Sequence, residues 1–191
     1  MSVSPRPAGA GKSPGEHLRP AAGRGDSSQH VRRLVLAAMF AAIATLLGPL
    51  SIPVGPTRVA PLQHTVNAVA GIMIGPWYAA GAALVTAILR YNLHWGSIFA
   101  FPGSPFGALV VGYAYRWLRS DAAALTEPIG TGPIGATLAA LAFQPLVHSH
   151  HTVWWFWAAF LSSSIPGAVL GFIVVRLLRP AIRAARLDAA A

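Results

Sequence analysis

Six apolar runs, separated by short polar or Gly-Pro stretches, limit what this chain can fold into more than any other feature. The 191-residue chain is 54% hydrophobic and only 10% charged, whereas a soluble domain carries about 25% charged residues. So few charges cannot cover the surface of a soluble protein of this size, but a surface that faces lipid needs none. We therefore predict an all-α integral membrane protein.

Each apolar run predicts one transmembrane helix of a six-helix bundle. Gly75 and Pro76 form a strong stop between the second and third runs, and Ser104 followed by Pro105 fits the start of the fourth. At about 1.5 Å per residue the second run reaches only about 20 Å, against about 30 Å of bilayer hydrocarbon. The second and third runs are therefore either a re-entrant pair or spans whose polar ends face a cavity, and we favour the spans. The predicted helices cover about residues 31–50, 62–74, 77–89, 104–118, 126–147 and 152–178.

The segments outside these runs predict two tails around one membrane domain. Residues 1–30 are rich in Pro, Gly, Ser and Arg and have no apolar run, which is typical of a disordered tail. No apolar signal precedes Val31, so we expect the first membrane segment to serve as the insertion signal as well. The membrane domain is predicted over 31–180 and a short basic tail over 181–191.

Arginine placement predicts the orientation, because cytoplasmic loops carry an excess of Lys and Arg. Only Arg58 and Arg90 fall on the opposite side from the three clusters, so we predict that both termini are cytoplasmic in a multi-pass protein of the cell membrane. The formal charge of +9 is explained in this way and does not predict nucleic-acid binding. The three clusters are Arg32 and Arg33, Arg116 and Arg119, and the final group of Arg176, Arg179, Arg183 and Arg186.

Several classes of chemistry are missing from the sequence. There is no cysteine, which excludes disulfides, thiolate catalysis and cysteine-bound metals. No nucleotide-binding loop, HExxH, GxSxG or pair of apposed carboxylates is present. We therefore predict no enzyme activity, no cofactor and no metal, and any energy for transport has to come from a partner.

Three loops on the predicted outer side hold nearly all the polar and aromatic side chains at membrane depth. They are residues 53–67, 90–104 and 144–157. Polar groups in a membrane usually face a bundle interior or a cavity, and ligand pockets are mostly apolar and aromatic with a few polar groups. A pocket open to the outside is therefore the predicted site.

The residues of these loops also allow structural interpretations. Gln63 and Asn67 share one helical face, where they either line the pocket or hydrogen-bond to a neighbouring helix. His64 lies about 100° further round the helix and either lines the pocket or instead caps the helix or packs. Arg90 ends a helix, where snorkelling to the interface accounts for a cation as well as ligand contact does. Arg58 is interpreted as an interfacial or lid residue.

Other candidate residues have simpler explanations. Trp154, Trp155 and Trp157 are typical of an interfacial aromatic belt. His148–His151 could bind a divalent metal, but no carboxylate sits nearby in sequence, so a solvated loop is favoured. Glu127 is expected at a helix N-terminus on the cytoplasmic side, where the helix dipole stabilises it, and it is left out of the predicted site.

The first apolar run carries a strip of small residues. Ala37 stacks over Ala41, and Ala38 stacks over Ala42. Such strips let membrane helices approach closely, either inside the bundle or against a second protein.

The stretches "GPTRVAPLQHTVNAVAGIMIGPWYA", "AFPGSPFGALVVGYAY" and "EPIGTGPIGA" resemble, in this order, the ThiW family of substrate-binding S components of energy-coupling-factor (ECF) transporters. The similarity covers about residues 33–178. It implies a six-helix membrane protein that captures the thiamine precursor hydroxyethylthiazole from outside. It also implies docking onto a transmembrane T component and two cytoplasmic ATPases, with Ala37, Ala38, Ala41 and Ala42 at the interface. Relatives commonly carry Lys where this chain has Arg58.

We therefore predict a site for a small, flat, largely neutral heterocycle, with polar side chains pairing its hydroxyl and ring nitrogen and aromatic rings stacking on it. The 1–2 loop with Pro53, Gly55 and Pro56 is a candidate lid. The alternatives are another vitamin, a transition metal bound by histidines such as His64 and His94, an intramembrane enzyme with a histidine base, and a self-contained channel. The predicted substrate contacts are Gln63, His64, Asn67, Arg90, Phe101, Ser104 and Trp155.

Overall fold

A computed structural model describes residues 24–148 and 150–188, with side-chain environments for 27–148 and 150–181. Within this part the chain forms six helical segments and one short hairpin. The predicted tail over 1–23, residue 149 and residues 189–191 lie outside the described residues. The regular helices are α1 (Arg24–Leu46), α2 (Pro61–Ile74), α3 (Pro76–Asn92), α4 (Ala100–Leu118), the short α5 (Glu127–Ile129) and α6 (Val153–Asp188).

The fifth helical segment is irregular along its whole length. It starts as a 3₁₀ helix (Asp121–Thr126), passes through α5, and continues as two π-helical stretches (Gly130–Ala136 and Ala139–Phe143) before a final 3₁₀ turn (Gln144–Val147). Pro128 and Pro133 lie inside it, and each lacks the N–H that a regular α-helix needs. The segment keeps its backbone paired by changing helix type instead of ending.

The segment between α1 and α2 contains a 3₁₀ turn (Gly48–Leu50) and an antiparallel hairpin of β1 (Ile52–Val54) and β2 (Thr57–Val59). Val54 pairs with Thr57 at the tip. Gly55 adopts φ +55° there, a conformation that glycine takes without steric cost. The predicted 1–2 loop is therefore an ordered hairpin.

Helix α2 occupies the centre of the bundle and packs against α1, α3, α4 and α6. Small residues permit these contacts: Gly71 of α2 lies against Val111 of α4, and Gly171 of α6 lies against Ala68. Residues Ala68 and Val111 have no exposed surface. Because membrane helices associate mainly through close packing, this central position fixes where the polar side chains of α2 can point.

Two helices are long and apolar enough to cross a membrane by length and composition: Ser27–Leu46 and Val153–Ala181. Large apolar side chains are exposed on several helices, among them Met39, Trp77, Leu141 and Leu177. The mostly helical architecture agrees with the predicted all-α class, apart from the hairpin.

The ends of several helices differ from the predicted ones. Helix α1 begins at Arg24, inside the predicted tail, and α6 runs to Asp188, past the predicted boundary at residue 180. Helix α4 begins at Ala100 and contains Pro105, so Ser104 is not the N-cap that we expected. A proline in the second turn removes one backbone hydrogen bond, which the helix tolerates here.

The three polar loops lie together at one end of the bundle. A Cβ on Gly48 would come within 3.2 Å of Arg90 and Trp95, and Gly55 packs under the Trp155 ring. At the opposite end, His30 of α1 hydrogen-bonds to Tyr78 of α3. Asp121 forms a salt bridge with Arg179 of α6 at that end as well. The hairpin, the 93–99 loop and residues 150–152 therefore surround a single region, which we call the loop end.

Candidate functional site

A small cavity opens at the loop end between α2, α3, α4, α6 and the hairpin. Its volume is about 30 Å³, room for about two water molecules. Phe99 and Phe160 supply its aromatic wall. The polar side chains on its wall are Thr57, Arg58, Gln63, His64, Arg90, Ser97, Ser104 and Ser163.

Gln63, Asn67 and Ser104 form one buried hydrogen-bonded group that joins α2 to α4. The Gln63 side-chain amide donates to Ser104 Oγ, and Asn67 Nδ2 donates to the Ser104 carbonyl oxygen at 3.3 Å. All three residues are buried. Gln63 and Ser104 line the cavity, and Asn67 lies one turn further along α2 and holds the α4 backbone.

His64 also lines the cavity, and its ring is held from behind by Glu127. His64 Nδ1 lies 2.8 Å from Glu127 Oε1, and Thr131 Oγ1 donates to the same oxygen at 2.7 Å. Glu127 and Thr131 have no exposed surface, and among the described residues Glu127 Oε2 has no hydrogen-bond partner. Because Nδ1 faces the carboxylate, the Nε2 edge of the ring is the one left for the cavity.

The position of Glu127 corrects the prediction that the helix dipole at a cytoplasmic edge accounts for it. The side chain lies inside the bundle, and Gly107 of α4 makes the space for it. A Cβ on Gly107 would lie only 2.2 Å from Glu127 Oε1. The sequence signals for this arrangement are the lone acidic residue in an apolar run and the glycine that faces it.

Arg58 and Arg90 approach the cavity from the hairpin and from the end of α3. Arg58 Nε donates to Ser51 Oγ at 2.9 Å and Nη2 to the Ser51 carbonyl at 3.2 Å. Arg90 Nη2 donates to the Trp95 carbonyl at 3.2 Å, and only 3% of the Arg90 surface is exposed. Arg90 therefore does not snorkel to the membrane surface.

Two of the predicted aromatic contacts lie outside the cavity wall. Phe101 packs edge-on against Tyr91, with 5.9 Å between ring centroids. Trp155 stacks on His151 at 4.2 Å and covers Gly55 at the hairpin tip. Phe99 and Phe160 line the cavity instead. Phe99 is the residue just before α4, and Phe101 is the second residue of that helix.

The four alanines of α1 divide between two faces. Ala37 and Ala41 are buried against α3, beside Ala79, Ala82 and Ala83. Ala38 and Ala42 are exposed. The structure thus uses one half of the strip inside the bundle and leaves the other half accessible.

The histidines of the loop end do not converge. His94, His148, His150 and His151 are all exposed, whereas His64 is buried. Within residues 24–148 and 150–188, no group of three or more His, Asp or Glu side chains is arranged to hold a metal ion. The structure therefore gives the transition-metal alternative no ligand set in this part of the chain.

The mostly helical fold with exposed apolar side chains is that expected of a membrane protein, and a small polar cavity lies at one end of its bundle. The family model described as "Thiamine-precursor transporter protein (ThiW)" matches residues 34–181. The chain therefore belongs to the ThiW family, which confirms the resemblance seen in the sequence. No match was found among curated proteins or among solved structures.

Proposed function

We propose that this protein is the substrate-capture subunit of an ECF-type importer and binds hydroxyethylthiazole in the cavity at the loop end. The family establishes a thiamine-precursor transporter, and the finer assignment rests on one observation. Gln63, Ser104 and His64 place hydrogen-bonding groups on the wall of a cavity that Phe99 and Phe160 close on another side. A hydroxylated aromatic heterocycle needs this combination of polar and apolar groups.

Each group has a place in the proposed binding mode. The Gln63–Ser104 pair can exchange its internal hydrogen bond for one to the substrate hydroxyl, and the His64 Nε2 edge faces the ring nitrogen. An analogue that lacks either group leaves a buried partner unpaired, at a cost of about 1–3 kcal/mol. Selectivity therefore comes from the polar pairing, while the rings of Phe99 and Phe160 supply most of the apolar contact.

The cavity has to widen for a thiazole to enter. Its volume of about 30 Å³ is far below the roughly 300–1,000 Å³ that is usual for ligand pockets. We expect the hairpin to move, because β1 is exposed along its length. The nearest neighbours of Gly55 at its tip are side-chain atoms of Trp155 and His151 and not main-chain atoms. We propose that the hairpin acts as the lid.

The double variant Gln63→Ala/Asn67→Ala should weaken hydroxyethylthiazole binding about 100-fold, since Gln63 lines the cavity and Asn67 holds the backbone of Ser104, which also lines it, and each lost buried hydrogen bond costs about 1–3 kcal/mol. Isothermal titration with the purified protein measures this. Asn92→Ala is the matched control, because Asn92 sits at the same end, is exposed and bonds only to its own helix at Ile88. Unchanged affinity in the double variant would mean that neither Gln63 nor the support of Ser104 by Asn67 contributes to binding. Parallel titration with thiamine distinguishes the precursor from the vitamin as the preferred ligand.

We further propose that both termini are cytoplasmic and that the exposed half of the α1 alanine strip docks onto a transmembrane T component, which works with two ATPases. Support comes from the division of the strip, because Ala38 and Ala42 are exposed on the outer side of α1. Small residues on an outer face permit close approach of a second helix.

Ala38→Trp/Ala42→Trp should therefore prevent co-purification of the partner subunits while thiazole binding by the isolated protein is retained. Pull-down of the assembled transporter from membranes measures the first effect, and titration measures the second. Ala158→Trp, on the exposed side of α6, is the control for adding bulk on a lipid-facing surface. Normal co-purification of the double variant would place the docking surface elsewhere.

A further inference from the structure

We infer that the preferred substrate carries an anionic group, a carboxylate or a phosphate, which Arg58 and Arg90 bind in the cavity. This inference rests on the proposed function and refines its substrate class. It replaces the expectation of a largely neutral ligand, because two guanidinium groups line the same small cavity with Gln63, His64 and Ser104.

No acidic side chain of the described residues is available to balance these two charges. The chain has five acidic residues. Asp121 is paired with Arg179 at the opposite end of the bundle, and Glu127 is paired with His64. Asp26 and Asp188 belong to the ends of α1 and α6 that lie away from the cavity, and Glu16 lies outside the described residues.

The two guanidinium groups are also short of hydrogen-bond acceptors. Each guanidinium has five N–H donors. Arg58 uses two of them on Ser51, and Arg90 uses one on the Trp95 carbonyl. Within the described residues Arg90 Nε is buried and has no partner. All the acceptors they use are neutral oxygen atoms.

The pair is held together although its charges repel each other. Ser51 Oγ accepts from Arg58 and lies 3.3 Å from the Trp95 carbonyl, the oxygen to which Arg90 donates. The hairpin and the 93–99 loop are therefore connected through one small network that keeps both cations beside the cavity. Arg90 is buried whereas Arg58 is only partly so, and burying a charge without a partner is costly, so the position of Arg90 is held at the expense of stability.

An anionic ligand would remove this cost. A carboxylate or phosphate offers several acceptor oxygens to the planar donor fork of arginine, and such charge-assisted bonds are shorter and stronger than neutral ones. Because Arg58 lies on β2 of the proposed lid, the same contact would also draw the hairpin onto the bound ligand. The ring then occupies the His64 side of the cavity, and the anionic group, which stands at the hydroxyl position beside Gln63 and Ser104, reaches the two arginines.

The test compares three ligands by titration. They are hydroxyethylthiazole, its phosphate monoester and the analogue in which a carboxylate replaces the terminal hydroxymethyl group. We expect at least one anionic ligand to bind about tenfold or more tightly than the alcohol, with an advantage that shrinks as salt is raised. Arg90→Gln should bring the affinity ratio close to one. The conservative Arg90→Lys should keep only part of it, because the fork is lost and the charge remains.

A control variant and the pattern of ligand binding distinguish a failure of this inference from a failure of the proposed function. Arg116→Gln, which removes a cation that lies over Tyr113 away from the cavity, should leave the ratio unchanged, and Arg58→Gln tests the same point if Arg90→Gln does not fold. If the alcohol binds as tightly as both anions, the inference is wrong and the proposed function stands. If none of the three ligands binds, both are wrong. The two anionic ligands show whether phosphate or carboxylate is recognised.

Discussion

Replacing His64 with alanine is expected to destabilise the protein by about 3–5 kcal/mol, the usual cost of leaving a buried charge without its partner. Glu127 has no exposed surface, and His64 Nδ1 and Thr131 Oγ1 are its hydrogen-bond partners among the described residues. With His64 gone, the carboxylate keeps Thr131 Oγ1 as its one hydroxyl donor among the described residues. Unfolding of the purified protein in mixed micelles, followed by circular dichroism, measures the loss.

The decisive variant is His64→Ala/Glu127→Gln, which removes the charge together with its partner. It should be more stable than His64→Ala alone, because a neutral amide costs less to bury than an unpaired carboxylate. Thr131→Val is the matched control, since it removes one hydrogen bond to the same oxygen and should cost only about 1 kcal/mol. A double variant no more stable than His64→Ala would mean that the pair does not hold a charge in the folded protein.

The helices of this fold follow from hydropathy and from Gly and Pro positions, so each predicted apolar run corresponds to one helical segment, although α1 and α6 extend beyond the predicted bounds. The break at Gly75 and Pro76 is an example: α2 ends at Ile74 and α3 begins at Pro76. The fifth segment shows the limit of this reasoning. Its apolar run predicts a helix, but no periodicity in the sequence encodes its mixture of 3₁₀ and π geometry.

The cavity could be predicted only in part, because contacts between distant parts of the chain determine which side chains meet there. Polarity in an apolar context identified Gln63, His64, Arg90 and Ser104, all of which line it. Glu127 was assigned by its position near a helix end, yet its partner lies 63 residues earlier in the chain. Contacts between helices that are distant in sequence decide such cases. One of two nearby phenylalanines lies just before a helix and lines the cavity while the other does not, and boundaries are the least certain feature of a sequence-based prediction.

A second large effect is expected at glycines where helices cross, and Gly130 and Gly112 are two examples. A Cβ on Gly130 would lie 2.3 Å from the Phe106 carbonyl oxygen, and one on Gly112 would lie 2.5 Å from the Pro76 backbone. Both neighbours are main-chain atoms, which cannot rotate away as a side chain can. Alanine at either position should therefore separate two helices and destabilise the protein by about 1–3 kcal/mol or more.

The backbone conformation at position 130 does not require glycine, so a loss of stability in Gly130→Ala would come from the close contact alone. Gly130 has helical dihedral angles of φ −72° and ψ −43°, so alanine would suit the local backbone and, by propensity alone, would stabilise a helix by about 1 kcal/mol. Gly81→Ala is the matched control: a Cβ there meets nothing within 4 Å, and this variant should be as stable as the parent or more so. Opposite signs for Gly130→Ala and Gly81→Ala, measured as unfolding midpoints in the same micelles, would show that close packing of α4 against the fifth segment requires glycine. If both variants gained stability, the backbones of α4 and the fifth segment would have room between them. The space that Gly107 leaves for the Glu127 side chain would then be larger than these contacts indicate.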